Sequence, residues 1–159
     1  RFKPFFLICC HILLKKLVVD DIKARDYLVN RHRCPTPRVL AGTVLRRLAS
    51  ACIDVSDGLL QDVMHIANAS GTGVILHLDK LPISEALGNN VSDLNQALNY
   101  AAVSGDDYEL LFTVPEEQRN SVQTALDSYS IPYTCIGQMT GASGKLDLKL
   151  NDFSKLKFK

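Results

Sequence analysis

Apolar and polar positions follow two rhythms along this chain, and the rhythm changes where glycine, proline or an acid intervenes. Leu59, Leu60, Val63, Met64, Ile66 and Ala67 recur at three- and four-residue spacing, which gives a helix one apolar face. The spacing predicts a helix over 57–69, closed by the turn-forming run Asn68-Ala69-Ser70-Gly71-Thr72-Gly73. Val44, Leu45 and Leu48 repeat the pattern, as do Leu94, Leu98 and Ala101 within 92–102. Val122, Ala125 and Leu126 do so within 116–128, behind the proline-first, acidic opening Pro115-Glu116-Glu117. A short helix is expected to begin at Leu81-Pro82. Apolar runs predict strands near 51–55, 73–79, 108–114 and 133–139. Leu146-Asp147-Leu148-Lys149-Leu150 alternates as an edge strand after a hairpin-like loop at 140–144. Helices alternating with strands of this kind define an α+β chain in which helices cover a mixed sheet.

Two stretches break the pattern. Phe5 to Leu14 is almost wholly apolar behind Arg1 and Lys3, superficially like a signal peptide. It has no small-residue cleavage site, and Lys15-Lys16 interrupts it before it reaches a membrane-spanning length. We read it as a helix that packs on something. Phe5, Phe6, Leu7, Ile8, Ile12, Leu13 and Leu14 carry more apolar surface than a small domain easily covers, which favours a two-fold dimer through this segment. Residues 20–28 continue as polar helix or loop. Pro35 and Pro37 then force an extended segment, flanked by Arg31, His32, Arg33 and Arg38. That basic cluster suits either a phosphate or a solvated face. The proline-rich residues 34–38 form the main boundary, separating an N-terminal helical segment, 1–33, from a domain over 34–159.

Composition narrows the classes. A length of 159 residues and a formal charge of +1 describe about one domain without the single-sign field that draws a chain to nucleic acid or an anionic membrane. Five cysteines form an odd set without a C-x-x-C pair, and Cys9-Cys10 are adjacent, so a reduced, cytoplasmic protein is expected. Neither His65 nor His77 has a cysteine or second histidine at zinc-ligand spacing.

The candidate chemistry lies at two strand ends. In Cys52-Ile53-Asp54-Val55-Ser56-Asp57-Gly58, a β-prone run feeds a glycine-containing turn that opens a helix. Free N–H groups and the helix dipole favour phosphate there. Asp54 and Asp57 would repel a bare phosphate, which points to a hard cation such as Mg²⁺ between carboxylate and phosphate. The plainer reading makes Ser56 or Asp57 an N-cap and Asp54 an ordinary strand-end residue. The second centre, Ser104-Gly105-Asp106-Asp107-Tyr108-Glu109, stands at the mouth of the next strand. It suits either a cationic or N–H-rich ligand or a turn that needs glycine and aspartate for its backbone.

The order of these motifs resembles the C-terminal half of the thiamine-monophosphate kinase family, within the aminoimidazole ribonucleotide synthetase superfamily of ATP-using proteins. The resemblance runs through Asp54-Val55-Ser56-Asp57-Gly58-Leu59, His65-Ile66, Leu81-Pro82-Ile83-Ser84 and Ser104-Gly105-Asp106-Asp107-Tyr108-Glu109-Leu110. Upstream, Arg33-Cys34-Pro35-Thr36-Pro37-Arg38-Val39 with Gly42 is similar to the family's Arg-Pro-x-Pro-Arg-Val stretch. The resemblance covers roughly 28–140 and implies a three-layer α/β domain partly like the ferredoxin fold.

It also implies a function: phosphorylation of thiamine monophosphate to thiamine diphosphate with ATP and Mg²⁺. Asp54 and Asp57 would bind separate Mg²⁺ ions, Ser56 would contact an ATP phosphate, and Asp106 would hold the thiamine side of the substrate. Ser104 stands where the family has glycine, and Asp106 where it commonly has the longer Glu. Residues 1–10 do not match the family's glycine-rich start, and Asn151-Asp152-Phe153 is a degraded form of its aromatic C-terminal element. The family's N-terminal domain supplies most acidic metal ligands, ATP contacts and the dimer interface. This chain is therefore expected to be a fragment without kinase activity of its own: half of such a kinase, a non-enzymatic remnant of one, or the equivalent half of another ATP-using member of the superfamily.

Overall fold

The computed structural model describes residues 19–91 and 93–150. The expected apolar helix and dimer segment at 5–14, and the Asn151–Phe153 element, lie outside the described residues.

Helix α1 (Ile22–Arg33) opens on Asp21, whose Oδ1 accepts from the backbone N–H of Lys23 (2.9 Å) and of Ala24 (3.3 Å). Its apolar side is narrow. Ala24 and Leu28 meet Leu87 of the short helix α4 (Glu85–Gly88) and Ala97 of α5 (Leu94–Val103). Residues 19–33 thus share a core with elements far along the chain. Ser84 caps α4 by accepting from Leu87 N–H at 3.0 Å, which sets the helix three residues later than Leu81-Pro82 suggests.

The strands divide between two sheets. Strands β1 (Ala51–Asp54) and β3 (Leu110–Thr113) pair antiparallel, with Asp54 opposite Leu110. Strand β2 (Gly73–His77) is the centre of the second sheet. It runs antiparallel to β4 (Gly137–Thr140) and parallel to β5 (Leu146–Lys149), which forms the expected edge. Helices and a mixed sheet give the α+β class read from the sequence.

The β1–β3 ribbon is packed on both sides. Leu110, Phe112 and Val114 face Leu45 of α2 (Val39–Leu45) and Val122 and Leu126 of α6 (Arg119–Ser128). Leu111 points the other way, to Val63 of α3 (Leu59–Ala69) and to Leu76, Leu146 and Leu148 of the second sheet. Alternation along β3 thus explains how one strand serves cores on both of its faces. Strand β4 begins later than the apolar run 133–139 suggests. Ile131 and Tyr133 are drawn into the α2–α6 cluster, so only Ile136 onward reaches β2, through His77 N–H to the Ile136 carbonyl at 2.8 Å.

Candidate functional site

The two motif loops, about fifty residues apart in sequence, lie against each other. Past Asp54 the β1–β3 ladder continues as irregular backbone bonds. Val55 N–H donates to the Glu109 carbonyl (2.8 Å), and Tyr108 and Asp107 N–H donate to the Val55 carbonyl (2.9 and 3.2 Å). Asp106 N–H donates to the Ser56 carbonyl at 2.8 Å. Two glycines allow this approach. A Cβ on Gly105 would overlap the Ser56 carbonyl, and one on Gly58 would overlap the Val103 carbonyl. Gly58 also has φ +113°, which L side chains rarely adopt.

Each residue singled out in the sequence has a definite place. Asp54 ends β1 with its side chain exposed, Ser56 is half-buried, and Asp57 and Asp106 are exposed. Asp57 stands beside His65 of α3, carboxylate to Nε2 at 3.9 Å. Asp106 and Tyr108 both have positive φ, 64° and 54°. Such conformations cost non-glycine residues about 1 kcal/mol or more and persist only where surrounding contacts enforce them. The Tyr108 hydroxyl reaches Asp106 Oδ1 at 3.4 Å. The Asp106 carboxylate foremost, and Asp54 to a smaller extent, push that hydroxyl above its ordinary pKa.

The cap expected of Ser56 or Asp57 is not formed. The residue before α3 is Gly58, and no side chain caps the helix there. The acceptor comes from inside the helix instead. Asp62 folds back so that its Oδ2 accepts from the N–H of Ser56 (3.0 Å) and of Asp57 (3.2 Å). Those two amides are therefore not free for a phosphate, which corrects the simplest form of the anion-site expectation. Asp62 is 1% exposed, and its position on the Leu59–Val63–Ile66 stripe was the available signal. A charged residue on an apolar helix face needs a partner.

Two members of the basic cluster around the prolines, Arg31 and Arg38, are committed to a carboxylate, while Arg33 stays exposed. Arg31 Nη2 donates to Glu109 Oε1 at 2.9 Å, Arg38 Nε donates to Glu109 Oε2 at 2.8 Å, and Arg38 Nη2 also meets Oε1. Asp107, beside this hub, is 5% exposed, and its Oδ2 has no hydrogen-bond partner among the described residues. Burial, reinforced by Glu109 against an opposing effect of Arg31, pushes its carboxyl up to about 9. At neutral pH it is uncharged. Neither Glu109 nor Asp107 stood out as structural in the sequence, because a strand mouth rich in acids does not say which of them turns inward.

The donors suit a hard cation. Asp54 and Asp57 offer exposed carboxylate oxygens on a loop fixed by backbone bonds, the ligand type Mg²⁺ takes. Asp57, Asp62 and His65 also place ligand atoms within 4.8 Å of one another. The imidazole nitrogen is a poorer Mg²⁺ ligand, and one Asp62 oxygen is already committed to two amides.

Over residues 14–149 the chain matches the family of the AIR synthase related protein, C-terminal domain, and it belongs to that family. Its relatives include thiamine-monophosphate kinases. The Escherichia coli (strain K12) thiamine-monophosphate kinase is 50% identical over 129 residues, covering 81% of this chain and 39% of that protein. The crystal structure of the Stenotrophomonas maltophilia K279a thiamine-monophosphate kinase superposes with a TM-score of 0.77 at 35% identity, over 87% of this chain and 44% of that one. AaThiL complexed with AMPPCP and TMP superposes with a TM-score of 0.70 at 28% identity, over 89% and 42%. The chain thus spans less than half the length of the relatives it matches.

Proposed function

We propose that this chain is the C-terminal, substrate-side part of an ATP-dependent kinase that converts thiamine monophosphate into thiamine diphosphate. The observation that carries the reading is the backbone stitching of residues 55–56 to residues 106–109, which joins the two acidic motifs into one surface. Kinship with thiamine-monophosphate kinases, and with AaThiL complexed with AMPPCP and TMP, supports it.

In this transfer a phosphate oxygen of thiamine monophosphate attacks the γ-phosphorus of ATP, the bond to the β–γ bridging oxygen breaks, and ADP leaves. Positioning and charge neutralisation carry most of the catalysis, so no nucleophile is required of the protein. Asp54 and Asp57 would hold Mg²⁺, which when bound neutralises phosphate charge. Ser56 would meet an ATP phosphate. Asp106, with Tyr108 bonded to it, would attract the cationic thiamine side of the substrate. The same reading places the protein in the cytoplasm as a two-fold dimer through residues 5–14, with no nucleic-acid or membrane partner. Among the described residues no helix is long and apolar enough to cross a membrane. Light scattering that finds the full chain monomeric at high concentration would remove the dimer.

Amide-resolved NMR titration of the chain tests the site. Mg²⁺ should shift the amides of residues 54–58 and thiamine monophosphate those of 105–108, with Asp57→Ala abolishing the first response. A chain that answers neither probe is a non-enzymatic remnant, and the reading fails. Thiamine diphosphate formation by the chain alone is expected to stay at the no-protein level, because less than half of the relatives' length is present.

A further inference from the structure

The hub at Glu109 joins three parts of the chain. Its backbone carbonyl accepts from Val55, next to Asp54, while its side chain accepts from Arg31 at the end of α1 and from Arg38 at the start of α2. The side chains of Arg31, Arg38 and Glu109 are 13%, 28% and 17% exposed, so water competes weakly for these bonds. Arg38 grips both carboxylate oxygens, an arrangement that fixes orientation as well as charge. The two arginines flank Pro35 and Pro37, whose rings restrict the intervening backbone and limit how far the guanidinium groups can separate. Asp106 lies three residues from Glu109, on an exposed position with a left-handed backbone conformation (φ 64°).

We propose that Arg31 and Arg38 are positioning residues for Asp106: by clamping Glu109 they hold residues 104–109 on the Ser56 loop and fix Asp106 relative to Asp54 and Asp57. The clamp converts two loops that each have positive-φ residues into one rigid surface. The functional meaning rests on the role given to Asp106 above; the mechanical coupling does not.

Hydrogen exchange of single amides in the full chain tests it. Asp106 and Tyr108 N–H report the stitched loops, and Val74 and His77 N–H report the second sheet, bonded to Lys145 and Ile136. Arg38→Ala and Glu109→Gln should speed exchange at Asp106 and Tyr108 at least tenfold while Val74 and His77 change less than twofold. Arg38→Lys, which keeps the charge and loses the two-point grip, should recover part of the protection. If Arg38→Ala does not fold, Arg38→Lys and Arg31→Lys are read at the same four amides, with partial loss expected at the first pair alone. Equal loss at all four sites, or none at Asp106 and Tyr108, overturns the proposal. Thiamine monophosphate titration of the parent chain separately decides the role of Asp106, so the two ideas fail independently.

Discussion

The two sheets of this domain are held together by different means. The β4-β2-β5 sheet is joined to α3 through Val63, Val74 and Leu76, buried to within 3% exposure, with Met139, Leu146 and Leu148 packed around them. Its polar groups are spent in ordinary ladders. The β1–β3 ribbon has a comparable apolar backing, but its open end contains an uncharged buried aspartate, a clamped glutamate and two positive-φ side chains. The contrast separates two tasks. Apolar burial stabilises without directing anything outward, whereas the charged end gives up stability to hold carboxylates in an unfavourable arrangement. Sites that bind ligands are commonly built this way.

Substitutions can break or sharpen this contrast, starting with the largest effect. Leu76→Ala removes a side chain only 1% exposed at the centre of the second sheet and should cost about 3 kcal/mol in denaturant unfolding. A loss under about 1 kcal/mol would mean that the second sheet is not the stabilising region. Asp62→Ala strands the amides of Ser56 and Asp57 and should cost about 2 kcal/mol, with fast exchange confined to residues 55–58.

Asp107→Asn probes the cost of the charged end through pH. The buried carboxyl takes up its proton near 9, far above the value of about 4 expected in the unfolded chain. The folded state therefore binds the extra proton between those limits, and stability must fall as pH rises through that window. The slope is at most about 1.4 kcal/mol per pH unit; the loss is absent below the unfolded value and complete above the folded one, where the slope returns to zero. Asp107→Asn should flatten that decline and raise stability by roughly 1 kcal/mol or more at neutral pH; an unchanged pH profile of chemical denaturation would show that Asp107 is ionised in the fold.

The smallest effects are expected at the exposed acids. Asp54→Asn should leave stability unchanged or raise it by a few tenths of a kcal/mol, roughly the scale of like-charge relief at a surface. Asp57→Ala, which removes no cap, should likewise fall within about 0.5 kcal/mol of the parent. A clear destabilisation by either, seen as a lower denaturant midpoint, would make these acids structural and remove the contrast between the two ends.

Much of this architecture is written in local patterns. The helical stripe over 59–67 and the alternation of 146–149 correspond to α3 and β5 because burial of one face depends only on residue spacing. The acidic motifs were likewise legible, since carboxylates beside glycine at strand ends are visible in one dimension. Sequence alone could not sort those acids by role. Asp54, Asp57 and Asp106 stay exposed, while Asp62, Asp107 and Glu109 turn inward to two amides, a buried site beside Arg31 and two arginines. Every one of those partners, except the amides at 56 and 57, comes from a distant part of the chain. The charge state and direction of a carboxylate depend on what desolvates and faces it, and those neighbours exist only once α1, the proline segment, β1 and β3 have met.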